Sequence, residues 1–292
     1  MYAGWATVYA GWAAVHARGH RRRHAVATRR RHAVAPVRGG RASYGPGGCP
    51  AGPLGTMAHM TSRALTVGFD LDMTLIDSRP GIRACYLALA ERTGTYIDAD
   101  LAVTRLGPPL HEELVNWFPA ERVEAVADLY RAMYPEYAVA ATPALTGARE
   151  AVEAVRRAGG RSLVVTAKYE PNARLHLEHL GIAPDAVVGG LWAEQKAEAL
   201  RAHGAHVYVG DHVGDVRGAR AAGALSVAVA TGPCDEKELR AAGADVVLSD
   251  LTEFPNWFSD YGQAFSAEKA GTDSDRPASR PSASSYPASP RA

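Results

Sequence analysis

Cysteine, lysine and long apolar runs are all scarce in this chain of 292 residues. Its three cysteines, Cys49, Cys85 and Cys234, are too few and too widely spaced for a disulfide framework or a zinc-finger pattern. That points to a reduced, cytoplasmic setting. No stretch approaches the roughly 18 consecutive apolar residues that cross a bilayer, so nothing calls for a membrane partner. The first 20 residues also fail as a secretory signal, because their basic cluster follows the apolar part instead of preceding it. Acidic residues are missing altogether from residues 1–69, which hold ten arginines. The rest of the chain carries 22 basic against 31 acidic residues, a balance of about −9 that the overall +1 conceals. An acidic body argues against nucleic acid as a partner without the arm, and no pattern in the chain sets an oligomeric state.

Residues 1–60 repeat themselves: YAGWA occurs at 2–6 and 9–13, and RRRHAVA at 21–27 and 29–35. Repeats of seven and eight residues, used twice and dropped, do not build a solenoid. With the GPGGCPAGP stretch after them they read as a disordered basic arm. It is a targeting peptide, a tail for nucleic acid or a membrane surface, or upstream sequence from a start assigned too early. The last is preferred, since Met57 and Met60 stand just before the first strand and nothing earlier has core-forming periodicity. A second disordered tail, rich in Ser, Pro and Ala, is expected over 259–292.

Between the tails, short apolar runs alternate with helical patterns, the signature of a parallel sheet in an α/β fold. Strands are expected at 65–69, 162–165, 186–188, 206–209, 225–229 and 245–248, and helices at 147–158, 170–180, 193–202, 215–222 and 236–242. A glycine falls just past each of these five helices, where a left-handed cap belongs. The stretch 79–142 breaks the alternation and reads as three or four amphipathic helices inserted after the first strand. The expected division is therefore a Rossmann-like core over 61–78 and 143–258 with an all-helical cap over 79–142.

The first apolar run ends in Asp70-Leu71-Asp72-Met73-Thr74. Two carboxylates spaced i and i+2 repel unless a cation or a shared proton separates them. A divalent ion with oxygen ligands is one account of the pair. The other is an ordinary turn, with Asp77 or Ser78 capping the next helix and the pair solvated. Further along, Thr166, Asp211 and Asp215 also sit at strand ends or helix starts, and Lys196 opens a helix. In a parallel sheet the carboxyl ends share one edge, so these groups converge there.

The four segments Asp70-Leu71-Asp72-Met73-Thr74, Thr166, Lys196 and Gly210-Asp211-His212-Val213-Gly214-Asp215, in that order, resemble the haloacid dehalogenase (HAD) superfamily over about residues 64–250. The helical insert, its loop Leu106-Gly107-Pro108-Pro109-Leu110 and the run Thr166-Ala167-Lys168 are similar to the phosphoglycolate phosphatase group within it. The resemblance implies an enzyme, a phosphatase acting through an aspartyl phosphate. Asp70 is then the nucleophile and Asp72 the acid and base. Thr166 and Lys196 hold the phosphoryl oxygens, with Lys168 a rival for that cation. Asp70, the Asp72 main-chain carbonyl and Asp211 bind Mg²⁺, with Asp215 in support. Asp72 argues against the carbon–halogen branch, which lacks that carboxylate. The phosphonate-cleaving branch needs a cap lysine, and the only lysines here are 168, 196, 237 and 269. Met73 departs from the glycine that relatives most often carry.

The implied substrate is a small phosphate monoester: a phosphoglycolate-like acid, a sugar phosphate or a nucleotide monophosphate. The competing functions are a phosphomutase using the same residues and a non-catalytic HAD-fold binding protein tethered by the Arg-rich arm. Arg83, Arg105, His111 and Glu113 lie in or near the cap and are candidates to read the leaving group, with solvated helix faces the preferred reading; Trp117, Tyr130 and Tyr134 read as cap core in preference to a substrate box.

Overall fold

A computed structural model of the chain describes residues 65–271, with side chains through 266. The basic arm expected over 1–60 and the end of the Ser/Pro/Ala tail, 272–292, lie outside the described residues. The apolar runs form six parallel strands: β1 Thr66–Phe69, β2 Arg161–Val165, β3 Ala186–Val188, β4 Val207–Gly210, β5 Leu225–Val229 and β6 Val246–Leu248. Their order in the sheet is β3-β2-β1-β4-β5-β6. β1 is flanked by β2 on one side and β4 on the other, so the winding reverses at β1, where open α/β sheets leave a crevice at their carboxyl ends.

The strands are apolar on both faces because helices cover both. Val67, Phe69, Val164, Val207 and Val209 pack against α5 Ala148–Arg157, α6 Glu170–Leu180 and the C-terminal helix. The alternate residues, Leu163, Val165 and Tyr208, pack against α7 Lys196–Ala202 and α8 Val213–Ala222. In α5 the buried residues Ala148, Ala151, Val152 and Val155 recur at helical spacing, while its Arg and Glu residues stay outside, a stripe one face wide. A shorter helix, α9 Glu236–Ala241, buries Leu239 beside Val216 and Ala228.

Between β1 and β2 the chain leaves the sheet to form α1 Arg79–Thr93, α2 Ala99–Ala102, α3 Leu110–Leu114 and α4 Ala120–Tyr137. These helices enclose an apolar cluster of their own, with Leu89, Leu114 and Ala127 fully buried. Two adjacent segments tie the insert to the sheet: Leu145 N donates to Leu75 O at 3.0 Å and Asp77 N to Pro143 O at 3.0 Å. The turn before this root holds Met73 at φ 58°, in the left-handed region, with its side chain 2% exposed. Burial of a large side chain holds a residue other than glycine in a conformation that usually favours glycine. Thr231 Oγ1 donates to the Met73 carbonyl at 2.6 Å and braces the same turn.

The C-terminal end differs from expectation. Helix α10 spans Phe254–Gly271, so the expected tail boundary at 259 falls inside it. Phe254, Phe258, Tyr261 and Phe265 recur at helical spacing and stack along one face, with ring centroids 5.4 Å apart for the first pair and 6.1 Å for the last. Small and polar residues between them gave the segment a tail-like composition, but the aromatic period belongs to the core. A chain ending at 258 is expected to unfold with about 2–4 kcal/mol less stability than one ending at 271, since it loses the burial of Tyr261 and uncovers its neighbours. Urea unfolding of the two measures this, and equal midpoints would refute it.

Candidate active site

Lys196 opens α7 beneath the carboxyl edge of the sheet and is fully buried. Its Nζ donates to Asp215 Oδ1 at 2.7 Å and to Tyr208 Oη at 2.9 Å, and lies 3.0 Å from Asp70 Oδ1. The Tyr208 hydroxyl in turn donates a hydrogen bond to the Val165 carbonyl at 2.6 Å. Burial pulls the ammonium's pKa down, but Asp215 and Asp70 more than offset it, and the group stays protonated. Asp215 serves two masters. Its second oxygen accepts the His212 main-chain N–H at 3.1 Å and closes the capping box of α8. A side chain at Gly210 would collide with Asp215, so this close approach requires glycine there.

Asp211 follows β4 and is held by Thr74, whose Oγ1 donates to Asp211 Oδ1 at 2.7 Å. Its other oxygen faces Gly232, where any side chain would strike it. Asp70, Asp211 and Asp215 each present a carboxylate oxygen within 4.8 Å of the others. Asp70 Oδ1 is buried and accepts no hydrogen bond. Burial raises the pKa of Asp70 to about 7, with Asp215 and Asp72 adding to the rise and Lys196 opposing it. Asp211 is pushed well up for the same reasons, burial first and then its two acidic neighbours. Crowded, buried, oxygen-only donors with one orphaned atom fit a hard divalent cation, so these residues could hold a metal.

Asp72 goes elsewhere. Lys168 Nζ donates to its Oδ1 at 2.7 Å, with the Lys168 side chain 8% exposed and that of Asp72 17%. Burial would raise the Asp72 pKa, but the adjacent ammonium overcomes it and leaves the carboxyl below its ordinary value. The pair is therefore neither solvated nor engaged with the other three carboxylates. Ser78 precedes α1 without making a side-chain cap, whereas Asp77 accepts from the Arg79 main-chain N–H at 3.2 Å, as the turn reading expects, and from the Arg79 side chain at 2.8 Å. Thr166 Oγ1 accepts from the Lys168 main-chain N–H at 3.1 Å, which keeps its own proton free to donate. Lys168 also lies 4.8 Å above the Tyr134 ring of the insert. Tyr134 Oη in turn meets His176 Nε2 of α6 at 3.1 Å.

A cavity of about 260 Å³ separates the helical insert from the sheet edge. Asp70, Asp72, Thr166 and Lys168 line its floor, and Arg105, His111, Glu113 and the whole loop 106–110 line its roof. Tyr130 and Tyr134 belong to the apolar cluster of the insert, as expected, but they also line this cavity. Arg83 is absent from the lining and pairs with the exposed Asp100 at 2.6 Å. Trp117 is likewise absent, and its indole N–H donates to Glu113 at 2.8 Å.

Several members escaped the sequence reading. Tyr208 looked like filler in an apolar strand, yet it is the phenol that fixes Lys196. Thr231 and Gly232 looked like a turn. His176 sits in an ordinary amphipathic helix, and Tyr86 and Asn172 line the cavity from helices that gave no polar signal. Only the alternation of Val207-Tyr208-Val209, which sends Tyr208 to the opposite face, could have hinted at the first of these.

Comparison with known proteins places the geometry in context. The profile of haloacid dehalogenase-like hydrolases matches residues 67–220, and a related HAD-hydrolase-like profile matches 191–254. A protein from Mycobacterium tuberculosis named tyrosine-protein kinase PtkA is 35% identical over 179 residues, 56% of this chain and 61% of that one. The chain thus spans about three-fifths of the length of this mycobacterial relative. A phosphoglycolate phosphatase from Caulobacter vibrioides is 26% identical over 211 residues, 65% of this chain and 89% of that one. Among solved structures, a haloacid dehalogenase-like hydrolase from Streptococcus pneumoniae superposes with a TM-score of 0.59 at 22% identity, over 66% of this chain and 98% of the other. At that identity the likeness concerns the fold. No helix among the described residues is long and apolar enough to cross a membrane.

Fully buried His176 supplies a pH test remote from the carboxylates of the cluster. Burial, and then Lys168, lowers its pKa to about 4, whereas the unfolded chain protonates it near 6.5. The stability that its neutral form lends above 6.5 is therefore lost as pH falls through 4. Relative to His176→Gln, the native chain should lose about 3 kcal/mol of unfolding free energy between pH 7 and pH 4. Parallel pH profiles of the two would overturn this assignment.

Proposed function

The chain belongs to the haloacid dehalogenase-like hydrolase family, and on that premise we propose that it is a Mg²⁺-dependent phosphatase that cleaves a small phosphate monoester through an aspartyl phosphate. In this reading 65–78 and 143–271 are the catalytic core and 79–142 is a cap over the site. The observation that carries the proposal is the Asp70 carboxylate oxygen, buried without a hydrogen bond at the end of β1 and facing Lys196 at 3.0 Å. That oxygen is spent on no neutral donor, and Asp70 as a residue lines the cavity.

Asp70 attacks phosphorus, a P–O bond forms to its carboxylate, and the ester P–O bond breaks. Asp72 gives its proton to the departing oxygen, then takes one from the water that releases inorganic phosphate and restores Asp70. The Thr166 hydroxyl and Lys196 hold phosphoryl oxygens. Bound among Asp70, Asp211, Asp215 and the Asp72 main-chain carbonyl, Mg²⁺ would supply positive charge against the transferring group and favour ionised carboxylates. Lys168, first considered as a rival for the phosphate cation, gains another role. It keeps Asp72 ionised and in place, and an arriving phosphoryl group that draws its ammonium away lets Asp72 carry a proton.

A second reading follows from the 35% identical relative named a tyrosine-protein kinase. There the phosphoryl group would pass to a protein hydroxyl instead of water. Incubation with γ-labelled ATP separates the two: label appearing on protein tyrosine supports this second reading, and free phosphate from small esters supports the first.

Three measurements test the phosphatase. Mg²⁺ at about a hundred times its Kd should stabilise the chain by about 2.7 kcal/mol at pH 7.5, and Asp211→Asn should remove most of that shift. Asp70→Asn should abolish phosphate release; equal release by the native and variant chains would sink the mechanism. Asp72→Asn should slow alkyl phosphates by about 10²–10⁴-fold, with a much smaller effect on the first-turnover release of p-nitrophenol from p-nitrophenyl phosphate, whose leaving group needs no proton.

A further inference from the structure

The chemistry of the leaving group is written in the rest of the cavity, and the inference rests on the phosphatase reading above. Every cationic side chain lining the cavity already has a carboxylate within 3.0 Å. Lys168 holds Asp72 at 2.7 Å, Arg105 holds Glu113 at 2.9 Å, His111 meets Glu124 at 2.8 Å and Arg131 meets Asp128 at 3.0 Å. Arg131 keeps one buried donor, Nε, without a partner, but Asp128 balances its charge. A carboxylate on the leaving group would enter beside Asp72 and Glu113 with no free counter-charge, the arrangement that buried sites avoid.

Neutral donors and acceptors are left open instead. Tyr86, Tyr130 and Asn172 line the cavity at 3%, 6% and 5% exposure. The two phenol groups and the amide make no side-chain hydrogen bond with any other described residue. None of their polar atoms is among the fully buried unpartnered ones, so they open onto the cavity, two from the insert and one from α6, and stand ready for a ligand. Their chemistry matches hydroxyl groups, which donate and accept alike. Size narrows the choice further. About 260 Å³ lies below the usual ~300–1,000 Å³ of sites for drug-sized ligands, and the phosphoryl group takes part of it. A few carbons remain, too few for a base and a ribose.

We infer that the leaving group is a short neutral polyol, read by Tyr86, Tyr130 and Asn172, and that carboxylate-bearing and nucleotide monoesters are poor substrates. Among the three substrate classes considered for the phosphatase, this selects the one with hydroxyls and no second charge. The roof cations then serve to hold the cap loops, through Glu113 and Glu124, and do not bind substrate.

The test compares kcat/KM of the full chain with Mg²⁺ for glycerol 3-phosphate, phosphoglycolate and AMP, with acetyl phosphate as a reference that needs no leaving-group recognition. Glycerol 3-phosphate should exceed phosphoglycolate by about tenfold or more, the scale set by unpaired buried polar groups. Tyr130→Phe and Asn172→Ala should each shrink that ratio by about three- to tenfold, mainly through KM. Preference for phosphoglycolate or AMP overturns the inference, as does a ratio untouched in Tyr130→Phe, the variant that keeps the ring packing. Those outcomes leave the phosphatase reading standing if acetyl phosphate is hydrolysed. No release even from acetyl phosphate overturns both.

Discussion

The buried ammonium of Lys196 is the constraint on which the rest of the site depends. Three carboxylates crowd the carboxyl edge of the sheet, and one fully buried cation stands against them, 2.7 Å from Asp215 and 3.0 Å from Asp70. Removing one partner from a buried ion pair is strongly destabilising because the other is left uncompensated. Lys196 is therefore a structural element of the site whatever else it does. Tyr208 and the Val165 carbonyl fix it from the sheet side, which ties β2 and β4 to α7 through a single polar atom. Burial first, and then the neighbouring carboxylates that one lysine does not balance, push Asp70 and Asp211 up, and a divalent ion would relieve that strain on their charged forms.

Asp72 lives under a different regime, only two residues away. Its partner is Lys168, itself packed on the Tyr134 ring, and Tyr134 reaches back to His176 in α6. This chain of contacts runs from a carboxylate in the core to the longest helix of the insert and returns to the core. Placement of the insert and placement of Asp72 are thus mechanically linked, while the paired segments at 75–77 and 143–145 form the root about which the insert is attached.

Much of the fold could be read from the chain. Apolar runs at 65–69, 186–188 and 225–229 became strands with at most one residue of change, because a strand buried on both faces has few alternatives. Helices ended where glycine permitted, as at Gly181 and Gly223 with φ of 63° and 76°. The reading failed at 259–271, where composition was weighed and the spacing of Tyr261 and Phe265 was not. It missed Tyr208, Thr231 and Asn172 for another reason. Each has a common local role, in a strand, a turn or a first helical turn, and nothing within ten residues distinguishes that role from a site.

By itself the sequence determined which groups meet at the sheet edge: Asp70, Asp72, Thr166, Lys196, Asp211 and Asp215 stand at strand ends and helix starts, and parallel topology leaves them one place to converge. Only the tertiary structure decided how they divide. Lys196 and Lys168 were interchangeable in one dimension, and the fold gives the first to Asp70 and Asp215 and the second to Asp72. It also decided that the insert closes a small cavity whose cations are already paired, while the phenols of Tyr86 and Tyr130 and the Asn172 amide are not. The physical reason is one of range. Periodicity and capping act over a few residues of chain, whereas charge pairing and the satisfaction of buried polar groups act through space between residues up to 158 positions apart.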